Sequence, residues 1–264
     1  MELSSLPAVV PPEPAPPRPL LRFEGVEQLY DGKIRILGPL DLDVVEGEFL
    51  CLVGPSGCGK STLLRIAAGL LRPTRGVVRL GERVLSGVNS SAAMVFQSFA
   101  LFPWMTVVEN VAVGLEAAGL GPRERFKKAE KYIALVGLSG YERAYPKELS
   151  RGMKQLVGVA RALAVEPRLL CMDEPFSALD VLTARTMRDL VLDLWANPEV
   201  TTRTILMVTH SIEEAVAMSD RVVVLRANPG RVADTVSLAG LPRPRRASDA
   251  AVREVIDRMY GLLA

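Results

Sequence analysis

A chain of 264 residues with 49% hydrophobic side chains can bury one large α/β core and carry a small subdomain. Its 32 lysines and arginines against 30 acids leave a net charge of +2, which gives no electrostatic case for nucleic acid as the main partner. The three cysteines, Cys51, Cys58 and Cys171, have no metal-ligand spacing and form no even disulfide set, as fits a reducing compartment.

Residues 7–19 are dense in proline, so an extended, disordered tail is expected over residues 1–19. The N-terminus lacks the basic-then-apolar pattern of a secretory signal. Short strands are expected at 21–23, 40–45 and 49–53. The third is wholly apolar, and it runs into a glycine loop followed by a helical pattern over 62–71. Strands follow at 77–80 and 93–96. The longest uncharged run, 84–108, is interrupted by Asn89, Gln97 and Pro103, and a bilayer span needs about 20 mostly apolar residues.

Thr106 three positions before Glu109 has the form of a capping box, so a helix starts there and runs toward Leu115. The charged, helix-favouring stretch 116–145 predicts an inserted helical subdomain, with limits near 98–155. A helix over 153–165 ends before Pro167. Continuous apolar runs at 169–172 and 204–208 read as buried parallel strands. A short helix at 212–218 and a strand at 222–225 follow. This alternation implies a mainly parallel sheet covered on both faces. The C-terminal extension, 236–264, is expected to hold a helix from about Ser248 after a basic turn, Arg243, Arg245 and Arg246. Those arginines read as a solvated surface within reach of lipid headgroups.

The loop Gly54-Pro55-Ser56-Gly57-Cys58-Gly59-Lys60-Ser61, with Thr62 after it, fits G-x-x-x-x-G-K-[ST] between a strand and a helix. Glycines let successive N–H groups converge on phosphate oxygens, and the helix adds its positive end. Lys60 supplies a charge toward the β- and γ-phosphates, and Ser61 a hydroxyl for Mg²⁺. Cys58 is a small loop residue in a positive field, which makes its alkylation a route to blocking the site. Asp173 and Glu174 follow four apolar residues. Two carboxylates ending a buried strand suit a cation and a polarised water, with a surface turn as the alternative.

The segment Leu149-Ser150-Arg151-Gly152-Met153-Lys154-Gln155 resembles the LSGGQ signature of ATP-binding cassette (ABC) proteins. In the same order, Gln97 resembles the Q-loop glutamine, Ser177-Ala178-Leu179-Asp180 the D-loop, His210 the switch histidine and Tyr30 the aromatic that stacks on adenine. The resemblance implies an α/β P-loop NTPase fold over 20–235: a RecA-like, mainly parallel sheet with a small antiparallel β subdomain and the helical insertion. It implies that ATP and Mg²⁺ bind, with Asp173, Ser61 and Gln97 at the metal and Glu174 as general base. Lys60, Gln97 and His210 complete the catalytic set. The cradle over 54–62, Tyr30, Asp180, Ser150 and Gly152 hold nucleotide, the last two across a homodimer or heterodimer with a second ABC ATPase.

Arg151 departs from the family's usual glycine, and a positive φ there would strain it. The resemblance also implies permease subunits bound through the apolar stretch around Trp104, an indirect substrate-binding protein, no nucleic acid, and a peripheral place on the cytoplasmic face of the inner membrane. The phrases around Phe96–Val111 and Ser219–Val232 are similar to those of nitrate, sulfonate, taurine and bicarbonate importers. Two other readings remain beside the importer. One is an ABC ATPase not coupled to transport, and the other a regulatory nucleotide-binding module without turnover.

Overall fold

The computed structural model describes residues 18–263. The proline-dense stretch up to residue 17 lies outside them. Pro19 does not: it opens β1 (Pro19–Tyr30), a place where its missing N–H costs little. β1 pairs antiparallel with β2 (Ile34–Val45) and with β4 (Arg75–Leu80), and β4 pairs with the two-residue β5 (Arg83–Val84). The first two strands are longer than their apolar patches predict. Over much of their length buried positions are interspersed with half-buried and exposed ones, which breaks up the apolar runs that mark the inner strands.

The second sheet has the order β10-β9-β3-β8-β7-β6. Its strands are β3 (Phe49–Val53), β6 (Ala92–Val95), β7 (Leu169–Asp173), β8 (Thr204–Thr209), β9 (Arg221–Arg226) and β10 (Arg231–Ser237). All pairings are parallel except β10 on β9. Every residue of β3, β7 and β8 is buried, as their unbroken apolar runs require.

Side-chain alternation divides these strands between two cores. Phe49, Cys51 and Val53 face one core with Leu170, Met172, Ile205 and Met207. Leu50 and Leu52 face the other with Leu169, Cys171, Leu206 and Val208. The first core lies under α2 (Val107–Ala117), α3 (Pro122–Leu135), α4 (Arg151–Ala164), α5 (Val181–Ala196), α6 (Ile212–Met218) and α7 (Ala250–Leu263). The second holds α1 (Lys60–Ala67) against the antiparallel sheet.

The capping box forms as read: Thr106 N donates to Glu109 Oε2 at 2.7 Å, and Glu109 N donates back to Thr106 Oγ1. α5 and β10 were not anticipated. The buried positions of α5, Ala184, Met187, Val191 and Leu194, follow helical spacing behind the Asp180 cap, so its signal was present.

Only Arg246 of the arginine turn is solvated surface; Arg243 and Arg245 turn inward. Arg245 is buried, and its guanidinium donates to the carbonyls of Leu241, Val216, Ser219 and Leu238. Arg243 pairs with Asp220 at 2.8 Å, donates to Met218 O and stacks over Trp195. A fork of five donors is well suited to collecting loop carbonyls that have no strand partner. No helix among the described residues is long and apolar enough to cross a membrane.

Candidate nucleotide site

Strands β3, β8, β7 and β6 lie side by side and parallel, with β6 at the sheet's edge, so their C-terminal ends open on one side. The glycine loop follows β3, His210 follows β8, Asp173 ends β7 with Glu174 next, and Gln97 lies two residues past β6. Residues far apart in the chain are thereby gathered in one row.

At the loop, Gly57 and Gly59 adopt φ of 78° and 92°, which turns the backbone inward before α1. Gly54 is required for space: a Cβ there would stand 2.6 Å from the carbonyl oxygen of Leu225. α1 begins without a side-chain cap and without an acid in its first turn, so its leading N–H groups and dipole are left for an anion. The Lys60 ammonium is almost fully buried and donates to Gly54 O at 2.7 Å and Pro55 O at 3.0 Å. These carbonyls compensate its desolvation and hold the charge at the loop.

Ser61 Oγ donates to Asp173 Oδ1 at 2.7 Å, joining the helix start to the end of β7. Glu174 has φ 44°, an unfavourable conformation for a residue with a side chain that costs about 1–3 kcal/mol. Its N–H donates to Val208 O at 2.9 Å, which fixes this turn to β8. The carboxylate then meets two partners: Gln97 Nε2 at 3.2 Å and His210 Nδ1 at 3.5 Å. Gln97 Nε2 also donates to Ser177 Oγ at 3.0 Å, and Ser177 Oγ donates to Glu174 O. Gln97 thus turns its amide nitrogen toward Glu174 rather than toward Ser61 or Asp173.

A second cluster stands apart. Ser150 caps α4, its Oγ accepting from Met153 N at 3.2 Å. Asp180 caps α5 by accepting from Thr183 N at 3.0 Å, and hydrogen bonding from the Thr183 hydroxyl first, then its N–H, holds the carboxyl below the usual range. Gly152 fits between them: a Cβ there would lie 2.7 Å from Thr183 Cγ2. Arg151 occupies the first helical position of α4 and is absent from the residues with positive φ, so the anticipated strain does not arise. Among the described residues no hydrogen bond links this cluster to the lysine loop. Tyr30, at the end of β1, is 63% exposed.

Cys58 corrects an expectation. It is fully buried, and burial pushes its thiol up despite the opposing charge and hydrogen bonds of Lys60. It is therefore not a surface handle for alkylation. Burial also raises Cys51, and pushes Cys171 up to about 12.

A family model described as ABC transporter matches residues 37–177, from β2 through the acidic pair to Ser177. The chain belongs to the ABC transporter family. Among ABC relatives, the nitrate import ATP-binding protein NrtD of Synechocystis sp. strain PCC 6803 is 45% identical, over 79% of this chain and 78% of its own length. The taurine import ATP-binding protein TauB of Yersinia pestis is 42% identical, over 83% and 84%. A solved dimeric ATP-binding cassette in a post-hydrolysis state, bound to ADP and Pi, superposes with a TM-score of 0.72 at 32% identity, covering 83% of this chain and 98% of that one. The fold class expected for an ABC chain, a P-loop α/β sheet with an antiparallel sheet beside it, is the one observed.

Proposed function

We propose that this chain is the ATP-binding and ATP-hydrolysing subunit of a membrane importer. The observation that carries the reading is the row of Ser61, Asp173, Glu174, Gln97 and His210, joined by contacts of 2.7–3.5 Å at the ends of adjacent parallel strands. The name and length match of the nitrate and taurine relatives support import.

In this reading the N–H groups of residues 54–62 and the Lys60 ammonium bind the ATP phosphates, and Tyr30 stacks on the adenine. No cluster of three or more acidic, histidine or cysteine ligands exists among the described residues. The bonded pair Ser61 and Asp173 suits Mg²⁺, an ion held by one or two oxygens together with phosphates, and Gln97 adds its amide oxygen after rotating. Bound there, Mg²⁺ would supply charge neutralisation to the ATP phosphates. Glu174, aimed by its strained turn, accepts a proton from the attacking water. His210, beside it, donates to the γ-phosphate.

Ser150, Gly152 and Asp180 complete the site from a second copy or a close relative, across an interface closed by ATP. The ATPase body is residues 20–235, with its helical subdomain near 98–155 and an extension over 236–264. Trp104, 69% exposed and packed on Phe102, rims a groove formed with Met105, Glu109 and Phe126. That groove receives a permease segment, which places the protein on the cytoplasmic face of the membrane. A substrate-binding protein joins through the permease, and the cargo is a small anion such as nitrate, sulfonate, taurine or bicarbonate.

Glu174→Gln tests the enzyme. Turnover should fall by roughly a hundredfold or more, with ATP-bound dimers accumulating on gel filtration. Hydrolysis at background in the parent and unchanged in the variant would leave only a nucleotide-binding module.

A further inference from the structure

His210 is a surface side chain on a short turn between β8 and α6, 61% exposed, and a catalytic imidazole in that position needs an external support. Its chain neighbours supply one. Thr209, nearly fully buried, donates through Oγ1 to Glu214 Oε2 at 2.7 Å. Ser211 donates through Oγ to Glu213 Oε2 at 3.0 Å. The turn is closed internally as well, because Ser211 N donates to Thr209 Oγ1 and Glu214 N to Ser211 Oγ, each at 3.1 Å.

The second oxygen of each carboxylate is held by a different helix. Glu214 Oε1 accepts from Arg188 of α5 at 3.2 Å, a pair whose side chains are only 27% and 14% exposed. Glu213 Oε1 accepts from the phenol of Tyr260 on α7 at 2.7 Å. Burial raises Glu213, but the hydrogen bonds from Tyr260, its own backbone and Ser211, with the charge of Arg188, outweigh it and keep the carboxyl below the usual range. The bond to Glu213, chiefly, pushes the Tyr260 phenol up.

We propose that Glu213 and Glu214 form a two-armed clamp that sets the orientation of His210, with Arg188 and Tyr260 as its remote positioning residues. α5 and α7 are separated at this place by a cleft of about 890 Å³ whose walls include Arg188, Glu213 and Ile256. Beneath the cleft the three helices share one core, with α7 packed on α6, so the two carboxylate bonds add side-chain support at the turn to that packing. Each arm has its own origin. Arg188 lies two turns into the helix that Asp180 caps, so it ties the turn to the middle of α5. Tyr260 makes the C-terminal helix a support of the hydrolytic site. The catalytic consequence rests on the role given to His210 above; the geometric claim does not.

The chain contains a single histidine, so in untagged full-length protein one imidazole resonance reports His210 alone. Arg188→Ala and Tyr260→Phe should each shift or broaden that resonance. The kcat for ATP should fall roughly tenfold in the first, a largely buried ion pair, and about threefold in the second, a single bond from an exposed hydroxyl, while KM is kept. Arg188→Lys should recover part of both effects. Tyr260→Phe removes only an exposed hydroxyl, so it remains informative if Arg188→Ala fails to fold. Imidazole resonances that superimpose on the parent in both variants would overturn the clamp. His210→Ala is the separate control: full turnover there would remove His210 from catalysis while the resonances still decide whether the clamp exists.

Discussion

The helices α1 and α4 both start at glycine-bearing loops, yet their first turns are finished in opposite ways. α1 starts from a left-handed Gly59, with no side-chain cap and a buried lysine as its first residue. α4 starts from an extended Ser150 whose own hydroxyl satisfies Met153 N. The first leaves N–H groups and charge available for an anion within the same chain. The second is already stable alone, and offers outward the exposed face of a satisfied cap. In the proposed function one start would be a receptor and the other a lid, the division of labour that a two-chain nucleotide site requires.

The difference makes testable demands, the strongest at α1. Lys60→Ala should weaken ATP binding by roughly a hundredfold, the cost of removing one member of a desolvated charge pair. Equilibrium nucleotide titration measures this, and an unchanged affinity would end the comparison. At α4 the outcome splits. Ser150→Ala should leave nucleotide affinity of the single chain intact, abolish ATP-dependent dimers in sedimentation, and destabilise the fold by about 1 kcal/mol through the lost cap. If it weakens binding to the monomer instead, α4 belongs to the same receptor as α1.

Arg151→Gly sharpens the contrast further. Arginine sits there without strain, so glycine should lower stability by no more than about 1 kcal/mol in a denaturant melt. A gain in stability would mean that strain exists after all. The smallest effect is expected at Cys58. With all three thiols buried and raised, an alkylating probe at pH 8 meets less thiolate than on a free cysteine, and should leave the native protein unlabelled while modifying the unfolded chain.

Much of the molecule was legible beforehand because its signals are local. The bounds of β3 and α6 match their apolar runs, and the α2 capping box could be read from two residues. The amphipathic strands were less legible. β1 and β2 extend well past their apolar patches, and β10, with one buried residue, carries no pattern of its own. The arginine turn was misread for a different reason. A charge counts as solvated until its partners are known, and the partners of Arg245 are backbone carbonyls, which have no identity in sequence.

By itself, then, the sequence determined which residues can cradle a phosphate, end a buried strand in acid and start a self-capped helix, since each depends on neighbours a few positions away. It also determined that the central strands are buried on both faces. Only the tertiary structure decided that Ser61 bonds Asp173, that Glu174 stands between Gln97 and His210, and that the turn bearing His210 is braced from α5 and α7. Those contacts join segments separated by dozens of residues. Their geometry comes from strand order and helix packing, which short-range patterns constrain without specifying.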